Sequence, residues 1–162
     1  MSLTPAQLQT LHNDILADPI LNAFPNNSDG NTEIANRYML NASPNFTVWK
    51  SNVPTRDIAT CFNGTELAGL TANNHTRLAT IAAWFSNGMD PSKPDMRQML
   101  DDIFSGTGGA NTRSRLLVMY KRLAMRVEKL YATGLGTDPT PATMTYEGGL
   151  SYQDVEAARL LP

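Results

Sequence analysis

The sequence predicts a mainly α fold, a small bundle of about six or seven helices with long polar connectors and one short strand or hairpin. Apolar residues recur at spacings of three and four in most segments, and helix start and stop signals flank those segments. Only the stretch 143–146 alternates like a strand. We expect residues 1–134 to form a helical domain. Residues 135–162 are expected to form an extended arm with a short helix, packing on the same domain or on a neighbouring subunit.

The first helix has the clearest start. Thr4 can cap it, Pro5 suits the first helical position, and Gln7 completes a capping box. Asp18 and Pro19 end or kink this helix. Similar signals predict further helices over 32–40, 54–62, 71–85 and 95–104, with a polar loop over 25–31.

The longest periodic stretch runs from about 112 to 132. Its apolar residues alternate at spacings of four and three: Leu116, Tyr120, Leu123, Val127 and Leu130. This pattern predicts one long amphipathic helix that ends at Gly134.

The amino-acid composition changes after Gly134. Residues 135–141 are rich in Gly, Pro and Thr, which predicts an extended connector over the surface. Ser151, with Asp154 three residues later, then predicts the cap of a last helix that runs to Leu161.

The composition is poor in charge. Charged residues make up 17% of the chain, against roughly 25% in an average soluble domain. The net charge is −2, which argues against attraction of the whole chain to nucleic acid or to an anionic membrane. The single cysteine, Cys61, excludes an internal disulfide framework. We predict no cofactor, no metal site and no membrane partner.

The charge is also uneven. Between 112 and 132 six basic residues face one acidic residue, Glu128, so this segment carries +5 and the rest of the chain −7. On one long helix, four of the basic residues share a face: Arg115, Arg122, Arg126 and Lys129. Two interpretations stay open, a contact surface for an acidic partner or nucleic acid, and a solvated face balanced by acidic neighbours.

Two other features resemble sites. Asp101 and Asp102 could hold a magnesium ion with substrate phosphates, but adjacent residues do not share a helix face. The loop Gly106–Gly109 precedes a helix, but it lacks the Lys-Ser/Thr of a P-loop. We predict no catalytic residues and expect that the protein is not an enzyme.

Nearly the whole chain resembles an uncharacterised family of small proteins encoded by tailed bacteriophages and prophages. The matching segments are Asp14-Ile15, Ala17–Pro19, Asn27–Gly30, Ser43-Pro44, Phe46, Val48-Trp49, Gly64–Leu67, Gly69-Leu70, Asp102–Gly106, Lys121–Ala124, Glu128–Leu130, Ala132–Gly134, Pro141–Thr143 and Leu150–Arg159. The resemblance implies a phage protein made with the morphogenesis genes and present in the particle.

From this resemblance we expect a non-enzymatic virion component in the head–tail connector, the tail or the capsid surface. Its partners would be other phage structural proteins and copies of itself, and it would lie in the host cytoplasm during assembly. The expected contact residues are the basic face and the C-terminal segment, with Tyr146, Tyr152 and Leu161.

Two alternative functions stay open. The first is a soluble assembly factor that is absent from the finished particle. The second is a small cytosolic effector that binds a host protein or nucleic acid, and salt-dependent DNA binding through Arg122 and Arg126 would favour it.

Overall fold

The computed structural model describes residues 3–162, of which 55% are helical. Across this range, ten α-helices, one short 3-10 turn and two two-stranded sheets are present. The prediction of a mainly α fold is confirmed, while the number of helices exceeds the six or seven expected.

In chain order the helices are α1 (Pro5–Ala17), α2 (Pro19–Asn22), α3 (Ser28–Tyr38), α4 (Thr55–Thr60), α5 (Gly64–Ala68), α6 (Ala72–Trp84), α7 (Pro94–Ile103), α8 (Ala110–Met119), α9 (Arg126–Leu130) and α10 (Tyr152–Arg159). The strands are β1 (Thr47–Trp49), β2 (Lys121–Leu123), β3 (Ala132–Thr133) and β4 (Thr143–Met144). Strand β1 pairs with β2, and β3 pairs antiparallel with β4 in the register Ala132 to Met144. The expected strand near 143–146 is therefore present as β4.

The chain divides into two compact units. Unit 1 contains the described part of Met1–Thr47 together with Leu123–Pro162, and unit 2 contains Val48–Arg122. These bounds differ from the boundary after residue 134 that we predicted from the sequence. Residues 135–162 lie in unit 1 of the same chain.

Unit 1 is built around α1, α3 and α10, since α10 packs against both of the other helices. The largest fully buried side chains include Leu11 and Ile15 from α1 and Ile34 and Tyr38 from α3. Val155 contributes to the same cluster from α10. The capping boxes predicted for α1 and α10 are both present, so local signals located these two helices correctly.

Unit 2 encloses a second apolar cluster. Its buried side chains come from α4, α6, α7 and α8 and from the residues that directly follow the last three of these helices: Ile58, Ile81, Phe85, Leu100, Ile103, Phe104, Leu116 and Tyr120. Thr71 caps α6 by accepting a hydrogen bond from the backbone N–H of Asn74, at the start of the predicted helix over 71–85.

The prediction of one long helix over 112–132 is wrong. Helix α8 ends at Met119, β2 follows, and α9 begins only at Arg126. The N–H of Ala124 donates to the carbonyl of Phe46, and the N–H of Arg126 donates to that of Leu40, at 2.8 Å each. These hydrogen bonds within unit 1 replace the helical bonds to the preceding turn.

The predicted loop over 25–31 is also partly wrong, since α3 already begins at Ser28. The Asn27 side chain caps it by accepting from the N–H of Gly30 at 2.9 Å. Gly30 packs so closely on the Pro25 carbonyl that there is no space for a Cβ atom. The turn-forming residues therefore start a helix here.

Candidate functional site

The four basic residues predicted to share one helix face do not share one. Arg115 lies on α8 in unit 2, Arg122 lies in β2, and Arg126 and Lys129 lie on α9 in unit 1. The prediction of a single basic helical surface is wrong because the helix that would carry it is interrupted after Met119.

Arg126 is engaged in an ionic network within unit 1. Its Nη2 donates to Asp14 Oδ2 at 3.0 Å and to Asp18 Oδ2 at 2.9 Å. The Tyr38 hydroxyl donates to the same Asp14 oxygen at 2.5 Å, and the Arg126 guanidinium lies 4.8 Å from the centre of the Tyr38 ring. Arg126 therefore ties α9 to α1 and α3.

The pKa values of Asp18 and Tyr38 are shifted in this environment. Burial alone would raise the pKa of Asp18, but hydrogen bonds from Arg126 and from the N–H groups of Leu21 and Ile20 outweigh it, so this pKa is lowered. Burial and the hydrogen bond to Asp14 raise the pKa of Tyr38. A groove of about 680 Å³ adjoins the network, and Lys129 also lines it.

The expected C-terminal contact residues have different environments. Tyr146 is a core residue: its hydroxyl donates to the Gly149 carbonyl at 2.7 Å, and its ring meets that of Tyr131 edge-on at 5.5 Å. Tyr152 is 41% exposed, whereas Leu161 is half-buried. Tyr152 therefore remains available for contact, and Tyr146 stabilises unit 1.

Helix α6 of unit 2 presents an exposed side that was not predicted from the sequence. Ten of its 13 residues are exposed. Four of them follow a stripe along the outer side at helical spacing: Ala72, Thr76, Ala79 and Ala83. We call this stripe, together with Thr80 and the 68% exposed Trp84, the α6 face.

The hydroxyl groups on the α6 face are already satisfied. Thr76 donates to the carbonyl of Ala72 at 3.1 Å, and Thr80 donates to that of Thr76 at 3.0 Å. With these hydroxyls directed to the helix backbone, the threonines present methyl groups outward. Arg77 borders this face, three residues before Thr80 and seven before Trp84, and contacts Asn74 and Asp102. The side chains of the α6 face itself are uncharged.

A second exposed apolar patch lies on α8. Leu117 is 47% exposed and Val118 is 72% exposed. A shallow cavity of about 660 Å³ adjoins Val118 and includes Arg115 and the buried Cys61. Cys61 is buried in the apolar cluster of unit 2, and this burial raises the pKa of its thiol.

Glu66 positions α8. This helix begins after Gly109 without a side-chain cap of its own. The Glu66 carboxylate, from α5, accepts from the N–H of Asn111 at 2.9 Å and from that of Thr112 at 2.8 Å. A carboxylate at a helix N-terminus also interacts favourably with the helix dipole. Glu66 therefore fixes the helix that carries the apolar patch.

Within residues 3–162, the His, Cys, Asp and Glu side chains form no group able to hold a metal ion, and no helix is long and apolar enough to cross a membrane. Comparison of the chain with protein-family models, with curated proteins and with solved structures finds no match.

Proposed function

We propose that this protein is a structural component of a tailed-phage particle, in the head–tail connector, the tail or the capsid surface, and that it acts through protein–protein contacts. The resemblance to a phage protein family supports the proposed location in a phage particle. The observation that carries the mode of action is the uncharged α6 face of unit 2.

A helix whose outer side stays in water usually bears charged and polar side chains there. The α6 face instead presents alanines, threonine methyl groups and the indole of Trp84. The centres of protein interfaces are depleted in charge and enriched in aromatic residues, and buried tryptophans often dominate binding energy. The α6 face therefore has the composition of a surface that a protein partner covers.

The partners we propose are other phage structural proteins and further copies of this chain. Small side chains allow a neighbouring backbone to come close, and Trp84 supplies an anchor next to them. The exposed Leu117 and Val118 on α8 offer a second contact. Two contact surfaces on one chain are the minimum that a ring or lattice of subunits requires.

Quantitative mass spectrometry of purified particles tests this proposal. The particles are taken from cells in which the chain is expressed with its neighbouring phage genes. We expect the protein at a fixed copy number relative to the major capsid protein, retained after a high-salt wash. Its absence from finished particles, combined with its presence in assembly intermediates, would contradict the virion role and favour the assembly-factor alternative.

A further inference from the structure

The outward side of helix α10 combines apolar side chains with a single charge. Tyr152, Glu156 and Leu160 follow one another at intervals of four residues, so they lie along one side of the helix. All three are exposed, and Leu160, which directly follows α10, is 72% exposed. Val155 and Ala158 turn inward and are buried in unit 1. We call Tyr152, Glu156 and Leu160 the α10 face.

The Glu156 carboxylate has no hydrogen-bond or ion-pair partner among residues 3–162. The other charged side chains of α10 are engaged within unit 1. Asp154 accepts hydrogen bonds from the N–H and the hydroxyl of Ser151 at 2.9 and 2.7 Å. Arg159 donates to the carbonyl of Phe24 at 2.8 Å. The α10 face therefore presents one unpaired negative charge between two apolar side chains.

Helix α8 of unit 2 presents the opposite charge beside an apolar side chain. Arg115 and Val118 are three residues apart, lie on the same side of the helix and are both exposed. They line the shallow cavity of about 660 Å³, to which Lys50 adds a second cation, and none of the described residues that line it is acidic. Within residues 3–162 neither cation makes an ion pair, and Lys50 Nζ lies 4.0 Å from Met119 Sδ. We call Lys50, Arg115 and Val118 the α8 face.

The two faces are complementary in charge and in the position of their apolar groups. On α8, Arg115 is followed one turn later by the exposed Val118. On α10, Glu156 is followed one turn later by the exposed Leu160. When two such helices lie alongside in the same direction, pairing of the charges also brings the two apolar side chains together and removes them from water. Neither face matches itself, because two copies of either one would bring like charges together.

We propose that the α10 face of one copy of this chain binds the α8 face of the next copy. Burial of the apolar side chains supplies affinity, and the ion pair selects the partner surface. The contact joins two different surfaces, so it continues from copy to copy and builds a ring or a filament. This inference rests on the proposed assembly role and names one contact within it. Arg115 and Tyr152, both predicted from the sequence as contact residues, take part in it.

Charge reversal tests the pairing in solution, by sedimentation of the purified full chain. Glu156→Lys and Arg115→Glu each place like charges in the contact, so each should raise the concentration needed for association at least about tenfold. An equimolar mixture of the two variants should recover association, because each reversed charge then meets its opposite on the other variant. In dilute solution each variant should melt like the unmodified chain, because neither side chain has a partner in its own chain.

Glu33→Lys on α3 and Lys93→Glu before α7 are the matched controls, since both change exposed charges outside the two faces. They should associate like the unmodified chain, alone or mixed. An unmodified chain that stays monomeric at about 1 mM, reversal variants that associate normally, or a mixture without recovery would overturn the pairing. If particles contain the protein while the reversal variants associate normally, only this inference fails. If particles lack the protein while the mixture recovers association, the pairing stands and the virion role fails.

Discussion

Glu66 is a single side chain on which the start of another helix depends. Its hydrogen bonds to Asn111 and Thr112 cap α8. Burial alone would raise its pKa, but the hydrogen bonds from Thr112 and Asn111 outweigh it and hold the pKa at about 2, below the ordinary 4.5. Because the folded-state pKa is lower than the unfolded one, this carboxylate stabilises the fold above about pH 5, and the contribution disappears as the pH falls towards 2.

Glu66→Gln should therefore lower the unfolding temperature at pH 7, and the difference from the unmodified chain should shrink between about pH 5 and pH 2. Circular dichroism melts across this range measure it. Glu156→Gln, which changes an exposed glutamate on α10, serves as the control and should melt like the unmodified chain. A Glu66→Gln difference that stays constant with pH would contradict the capping role.

Arg126 stabilises unit 1 through its ion pairs with Asp14 and Asp18. It is therefore not a free contact residue. Arg126→Met leaves the carboxylates of Asp14 and Asp18 close together without their shared cation. We expect the free energy of unfolding to fall by about 1–2 kcal/mol in urea titrations. Arg56→Met is the matched control, since the Arg56 side chain is 87% exposed and its ion pair is with the neighbouring Asp57. An equal effect of the two substitutions would show that the network adds no stability.

At the scale of elements, the sequence predicted those helices whose signals are local. Helices α1 and α10 carry capping boxes within a few residues, so their starts followed from sequence alone. The interruption between α8 and α9 was missed because its cause is remote in sequence. Ala124 and Arg126 bond to the carbonyls of Phe46 and Leu40, while the apolar spacing continues unbroken across the interruption.

The α6 face was not predicted from the sequence, although the helix that carries it was. Ile81 is buried in the unit 2 cluster and Leu78 packs against it, so the spacing of the apolar residues in α6 marks its inward side. The contact residues were predicted among basic side chains instead. The missing signal was the lack of charge on the outward side, which is visible in the sequence once the helix is placed.

At the scale of the whole molecule, the low charge of the chain corresponds to uncharged stretches of its exposed surface. With 17% charged residues, some exposed surface must be uncharged, and α6 carries a continuous part of it. The +5 segment expected on one helix is instead divided between the two units. Assembly through uncharged surfaces, with charge used mainly for internal stability as at Arg126, is the account we favour.

The most direct test is the copy number of an α6 variant in purified particles. Ala79→Lys places a charge at the centre of the α6 face, and Ala68→Lys places the same charge on an exposed residue of α5. If both variants melt like the unmodified chain, we expect Ala79→Lys to fall at least about tenfold in particles, as loss of a central contact of 1.4 kcal/mol or more implies. Ala68→Lys should be incorporated normally. Equal incorporation of both variants would contradict the claim that a partner covers the α6 face.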